Sequence, residues 1–419
     1  LPTQGSTVYL SRNNSTLSRP AITNKRMRGR SSNNLIFVAG ALSFIFIWAI
    51  ALVWTALTVE ENRLGSEPLR QLDDLNPQDT NSKHQQLNAA VNEKDFAKEI
   101  PGIELQIPSP KSNEDPIQII YSNQSASAIP TPPKGLVLLL HACSHSALKF
   151  FSPSPSTCPN CVGLSEELRI VRLVLEQGYK PLAVSSINRK NGCWSMSRDA
   201  PRIEAVLNHE LFRKYRQRGV LFGIGASSGG AFAAELATQK IVRGALVMVM
   251  QLSNDAVNKL RLSPVPIYLA PMPRDKSRME QVVKNYRDLD SVRDFVILDG
   301  TTCGSIPVTT TYLIQRVPGM TAKASEELIS ELERAGHINP SSDMLRVDPT
   351  RSDWRSIVSP TNSTHWLGEF DLKPGYSPLA KALHRAWAFH EYCSEAVIPA
   401  LRFFEKRSSI MAASEDATM

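Results

Sequence analysis

From Gly135 onward, continuous aliphatic runs alternate with stretches whose apolar residues recur at helical spacing. Leu136 to Leu140 has no polar interruption, as expected of a strand buried on both faces. Over 164–177, Leu168, Val171, Val174 and Leu175 share one helical face, and Gly178 is the stop. The same rhythm predicts strands at Leu182–Ile187, Val220–Ile224, Ala245–Met250, Val265–Ala270 and Phe295–Leu298. Helices are predicted at Ile203–Tyr215, Ala231–Gln239 and Lys276–Asp288. Strands alternating with helices mean an α/β fold, a mostly parallel sheet covered on both faces. The rhythm is lost over 301–378. There Ser325–Ala335 reads as an amphipathic helix with Ser325 as N-cap and Gly336 as its stop, within an inserted cap or lid. A last helix, Ser394–Phe404, is expected to bend at Pro399, and 406–419 is expected to be a disordered tail.

The first 115 residues follow other rules. Leu35 to Val59 contains no charged residue, and about 25 apolar or small residues suffice to span a bilayer. Residues 1–34 carry Arg12, Arg19, Lys25, Arg26, Arg28 and Arg30 and no acid. The positive-inside rule then predicts a cytosolic N-terminus, a single transmembrane helix at 35–59 and a lumenal or extracellular remainder. This tail accounts for most of the net charge of +7, so nucleic acid is not an expected partner. Residues 60–115 are polar without sustained periodicity and read as a flexible stem, leaving 116–405 as the folded domain. Asn123 and Asn362 begin N-x-S/T sequons on the far side of the span.

Six cysteines, Cys143, Cys158, Cys161, Cys193, Cys303 and Cys393, lie beyond the span, where disulfides are permitted. Cys158 and Cys161 have C-x-x-C spacing. A zinc site needs four ligands, and no second pair supplies them. The favoured reading is a disulfide-pinned loop with its pairing open and Cys193 as a candidate partner.

Candidate chemistry centres on Gly225-Ala226-Ser227-Ser228-Gly229-Gly230, which follows one apolar run and precedes a helix. A serine at the tip of a tight strand-to-helix turn is pushed out of the sheet, and Gly225, Gly229 and Gly230 allow the bend. Ser227 fits this register; Ser228, in an A-x-S-x-G frame, is the second candidate nucleophile. A serine hydroxyl needs a histidine to take its proton and a carboxylate to orient that histidine.

On these motifs, residues 135–405 resemble the α/β-hydrolase superfamily, in particular a membrane-anchored group with a cysteine-bearing segment after the oxyanion strand. That resemblance implies the chain order serine, acid, histidine. It points to Asp275 as the acid, with Asp299 as runner-up, and to His390 as the base, with His384 as competitor. The implied oxyanion donors are the backbone amides of Ser228 and Cys143. His141-Ala142 stands where the family usually carries His-Gly, and Cys143 is expected to be a free, small packing residue. The implied activity is cofactor-free hydrolysis of a small-molecule or lipid-like ester, thioester or amide, with peptidase or acyltransferase chemistry possible on the same residues. The competing class is a binding or scaffold protein that kept the fold and lost catalysis, for which Ala142 and the large insert are the support.

Overall fold

Eight strands form one sheet, in chain order across it except that the fourth strand lies between the second and the third. A computed structural model describes residues 99–122, 132–217, 220–358, 372–373 and 375–416. The basic tail, the 35–59 span, residues 60–98 of the expected stem, and both sequon asparagines lie outside these residues. Among the described residues, no helix is long and apolar enough to cross a membrane.

In chain order the elements are β1 (Ile103–Ile107), β2 (Ile117–Tyr121), β3 (Gly135–Leu140), α1 (Ser165–Glu176), β4 (Tyr179–Val184), α2 (Met196–Asn208), α3 (Arg213–Gln217) and β5 (Leu221–Ala226). Then follow α4 (Ser228–Thr238), β6 (Ala245–Met248), α5 (Asn254–Leu262), β7 (Ile267–Ala270), α6 (Lys276–Asp288) and β8 (Val296–Leu298). After β8 come α7 (Thr310–Arg316), α8 (Ala322–Arg334), a small hairpin of β9 (Ile338–Asn339) and β10 (Met344–Leu345), and α9 (Trp354–Ile357). The chain closes with α10 (Pro378–Trp387) and α11 (Val397–Asp416). β1 and β2 pair antiparallel, β2 also runs antiparallel to β4, and every other pairing in the sheet is parallel.

Alternation along each strand separates two cores. Val137 and Leu139 of β3 join Phe222 and Ile224 of β5 on the face covered by α1 and α11. Leu136, Leu138 and Leu140 face the other way, beneath α2, α4, α5 and α6. A third core, with Tyr312, Leu313, Leu328, Leu332 and Trp354, lies in the segment that follows β8 and is completed by Leu379 and Leu383 of α10. The inserted unit therefore shares its core with a helix beyond its expected end at 378.

Several boundaries differ from the expectations. Ile103–Ile107 lies inside the expected stem yet forms the edge strand; Ile103, Leu105 and Ile107 recur at strand period within a polar neighbourhood. The predicted helix 203–215 begins earlier, at Met196, and breaks at His209, whose extended backbone separates α2 from α3. The strand predicted at 182–187 runs instead from Tyr179 to Val184, starting directly after Gly178 turns the chain at φ +81°. The N-cap of α8 is Thr321, whose hydroxyl accepts the Ala324 N–H at 3.2 Å, whereas Ser325 is buried inside the helix. Pro399 falls in the first turn of α11, where its missing N–H costs no helical bond, and the helix continues through the expected disordered tail to Asp416.

Candidate active site

The turn between β5 and α4 presents Ser227 at φ +53°, ψ −124°, a conformation that side-chain-bearing residues rarely adopt. Its N–H donates to Met248 O at 2.9 Å, which ties the turn to the end of β6. Close packing explains the flanking glycines. A Cβ on Gly225 would lie 2.3 Å from the Gly229 carbonyl carbon, and one on Gly229 would lie 2.1 Å from Leu140 O. At Gly230 it would meet Gly225 O at 2.9 Å. The tip of β5 is thus pressed against both the start of α4 and the end of β3, and only hydrogen atoms fit between them.

Three residues far apart in sequence converge at this turn. His390 Nε2 lies 3.0 Å from Ser227 Oγ, and His390 Nδ1 lies 2.7 Å from Asp275 Oδ2. An ionised carboxylate only accepts, so Nδ1 carries the proton and Nε2 is left to accept the serine proton. Asp275 follows β7 and is buried; its other oxygen accepts the Arg278 N–H at 3.4 Å as the N-cap of α6. The same carboxylate therefore caps a helix and faces the histidine.

The competing residues sit elsewhere. Asp299 accepts the Tyr268 hydroxyl at 2.6 Å and the N–H groups of Thr301 and Thr302. His384 lies beside Glu391, with 3.7 Å between Nδ1 and Oε2. Ser228 Oγ accepts the Trp194 N–H at 3.1 Å, which fixes it beneath the β4–α2 loop.

Among the described residues, the N–H groups of Ser228 and Cys143 donate to no other group. The Ala142 N–H is already taken by the Tyr392 hydroxyl at 2.9 Å. Ala142 is not among the residues with positive φ; the left-handed residue of this loop is Ser144, at φ +64°. Alanine in place of the usual glycine therefore needs no left-handed backbone. His141 is buried against Trp194, with ring centroids 4.9 Å apart. Loss of solvation lowers its pKa from 6.5 to about 3, so the ring is neutral. Its Nε2 accepts the Ser186 N–H at 3.0 Å and its Nδ1–H donates to Ala142 O at 2.9 Å.

Cys143 is not free. It forms a disulfide with Cys193 that joins the β3–α1 loop to the β4–α2 loop, with Cα atoms 4.4 Å apart. Both loops bend tightly here: a Cβ on Gly192, at φ +65°, would lie 2.8 Å from His145 O. Cys193 is therefore not the partner of the C-x-x-C loop; Cys158 and Cys161 pair with each other. Cys303 and Cys393 form the third bridge. Among the described residues no group of His, Cys, Asp or Glu side chains has the arrangement of a metal site.

Sequence reasoning missed what holds His390. His390 has φ +46° and Ala388, two residues earlier, φ +59°. Each of the next residues is anchored: Glu391 by Lys381 at 2.8 Å, Tyr392 by Ala142, and Cys393 by its disulfide. Glu395 is paired with Arg385 at 3.0 Å and with Arg316 of α7. Arg316 also reaches Glu166 of α1, with Nε 2.9 Å from Oε1. Burial alone would raise the pKa of Glu391 and Glu395. The Lys381 charge in one case, and Arg385 and Arg316 in the other, instead hold them below the carboxylate range.

The parallel sheet, its antiparallel leading strands, the elbow after β5 and the serine–acid–histidine chain order define an α/β-hydrolase fold. No family model and no curated protein sequence matches the chain. Solved structures similar to it include a thermostable esterase, 14% identical, which shares 48% of this chain and 54% of its own at a TM-score of 0.34. A Pyrococcus furiosus esterase is 13% identical over 58% of this chain and 93% of its own, with a TM-score of 0.33. A dienelactone hydrolase from Anabaena variabilis is 16% identical over 56% and 98%, with a TM-score of 0.32. This chain spans about half the length of the first of these. With such scores the assignment of fold rests on the sheet order and the elbow.

Proposed function

We propose that the chain is a serine hydrolase that cleaves a small-molecule or lipid-like ester, thioester or amide through an acyl-serine intermediate. The observation that carries this reading is the continuous hydrogen-bonded line from Asp275 through His390 to Ser227, ending at a serine held in an elbow. In the proposed reaction Ser227 Oγ attacks the acyl carbon while its proton moves to His390 Nε2. Asp275 stabilises the imidazolium that forms. The Ser228 and Cys143 N–H groups take the charge that develops on the carbonyl oxygen. His390 then gives its proton to the departing alcohol, thiol or amine. A water molecule, deprotonated by the same nitrogen, releases the acid and restores the serine.

The reading includes placement: a single-pass anchor at 35–59 with the hydrolase on the lumenal or extracellular side. The pairing of all six cysteines supports an oxidising compartment for this domain.

The test is covalent labelling with a fluorophosphonate probe of wild type, Ser227→Ala and Ser228→Ala. Wild type and Ser228→Ala are expected to label, and Ser227→Ala is not. A folded wild type that resists the probe would remove the catalytic reading and leave a non-catalytic member of the fold.

A further inference from the structure

Resting on the serine-hydrolase reading, we propose that Tyr392 is a positioning residue that aims the oxyanion-binding amide of Cys143 and fixes it relative to His390. The argument begins with two peptide units. A trans peptide holds its C=O and N–H antiparallel in one plane, so gripping one end sets the direction of the other. The unit joining His141 to Ala142 is gripped at both ends. Its C=O accepts the Trp194 Nε1–H at 2.7 Å, and its N–H donates to the Tyr392 hydroxyl at 2.9 Å. The following unit joins Ala142 to Cys143. Its C=O accepts from His141 Nδ1 at 2.9 Å and from the His145 N–H at 3.2 Å. Only its other end, the Cys143 N–H, is left without a partner among the described residues. Of the four polar groups in these two peptide units, three are committed and the Cys143 N–H is spared.

Tyr392 is the member of this frame that comes from the histidine side of the site. It lies two residues after His390, is 1% exposed, and packs edge-on to Phe150 with centroids 5.9 Å apart. Its hydroxyl also approaches Leu140 O at 3.5 Å. Burial raises the phenol pKa well above its ordinary value, so the hydroxyl keeps its proton and remains both acceptor and donor. One oxygen therefore links the end of β3, the oxyanion loop and the segment that carries His390. Without it the Ala142 N–H is orphaned and the His141–Ala142 plane, the neighbour of the plane that carries the Cys143 N–H, is gripped at one end only.

The experiment uses the full chain and the rate of fluorophosphonate labelling, read as kinact and KI, for wild type, Tyr392→Phe and Trp194→Phe. Affinity for a simple alkyl trifluoromethyl ketone, whose adduct places an oxyanion beside Ser227, is read from protection against the probe. For Tyr392→Phe we expect kinact to fall about 10- to 100-fold, somewhat less than complete loss of an oxyanion donor, with KI within about twofold. Ketone affinity should fall in the same proportion, and the pH inflection of kinact should not move, because His390 and Asp275 are untouched. Trp194→Phe, which frees the opposite end of the same peptide, should reproduce the loss. An unchanged kinact in Tyr392→Phe overturns the proposal, as does a fall in kinact without a matching loss of ketone affinity. A displaced pH inflection also overturns it, since the residue would then act through His390. A wild type that never labels removes the hydrolase reading and this one together, whereas an active wild type with an indifferent Tyr392→Phe removes this one alone.

Discussion

Ser227 and His390 meet at 3.0 Å, yet the protein holds them there by opposite means. On the serine side the restraint is backbone against backbone. Ser227 sits in a strained conformation because β3, β5 and the start of α4 approach more closely than any side chain allows. On the histidine side the backbone also departs from the common regions, at Ala388 and His390, but neither residue is glycine and the restraint is made by side chains. Lys381, Arg385 and Arg316 neutralise Glu391 and Glu395, and a disulfide holds Cys393. Arg316 belongs to the inserted unit, at the end of α7. The inserted unit is therefore built into the support of the histidine. The serine half of the centre is rigid by the geometry of the sheet, whereas the histidine half depends on buried charges that must all be present at once.

The largest effect is expected where no rearrangement is available. Gly229→Ala would drive a Cβ to 2.1 Å from Leu140 O and 2.5 Å from His141 O, both main-chain atoms at the end of β3. We expect a loss of more than about 4 kcal/mol, read as failure to recover a cooperatively unfolding domain. A stable, labelling-competent Gly229→Ala protein would show that the close approach is not what fixes the elbow. The histidine side should yield less and in a different way. Arg316→Met takes from Glu166 and Glu395 their shared ion-pair partner, leaving Glu166 with the Ser394 N–H at 2.9 Å, Glu395 with Arg385, and both with the charge of the buried Arg169 nearby. Breaking such a buried pair costs about 3–5 kcal/mol. The double variant Arg316→Met, Glu166→Gln removes the uncompensated charge and should regain part of that loss in denaturant unfolding. If the single and double variants unfold at the same denaturant concentration, the buried charges are not the support described.

The contrast also explains what could be read from the sequence. The serine half was legible because its constraint is local: a glycine pattern within six residues, bounded by an apolar run and a helix. Asp275 and His390 were reachable only through the chain order of a resembled family, because nothing near either residue encodes a contact across 115 positions. The supports of His390 were not legible at all. Cys303–Cys393 spans 90 residues, Glu166–Arg316 spans 150 and Tyr392–Ala142 spans 250, and periodicity carries no information about such pairings. The Cys143–Cys193 bridge is hidden for a related reason: the residues around Cys143 say nothing of a partner that lies on another loop, 50 residues on. The edge strand Ile103–Ile107 was hidden differently. Its period of two was present, but the polar composition around it outweighed so short an alternation.

The smallest predicted effect tests the boundary between the two halves, at the oxyanion loop. His141 is neutral and buried, with its folded pKa depressed to about 3 from an ordinary 6.5. The sign follows from proton counting. Below 6.5 the unfolded chain takes up a proton on this ring that the folded chain refuses, so acid favours unfolding. The stability this residue lends is present above 6.5 and drains away as pH falls through the interval toward about 3. Between pH 6.5 and 5.5 the loss should be about 1 kcal/mol, approaching about 1.4 kcal/mol per pH unit below that. Other groups titrate in the same range, so the measurement is a difference: urea unfolding of wild type and His141→Gln at several pH values. Glutamine can still accept the Ser186 N–H but cannot titrate. Its stability should fall less steeply on acidification, and the two curves should converge as pH drops. If the two proteins run parallel from pH 7 to 4, the ring does not stay neutral in the fold. A doubly protonated ring would still donate Nδ1–H to Ala142 O, but its Nε2 could no longer accept the Ser186 N–H, and the tie from this loop to the segment after β4 would be lost.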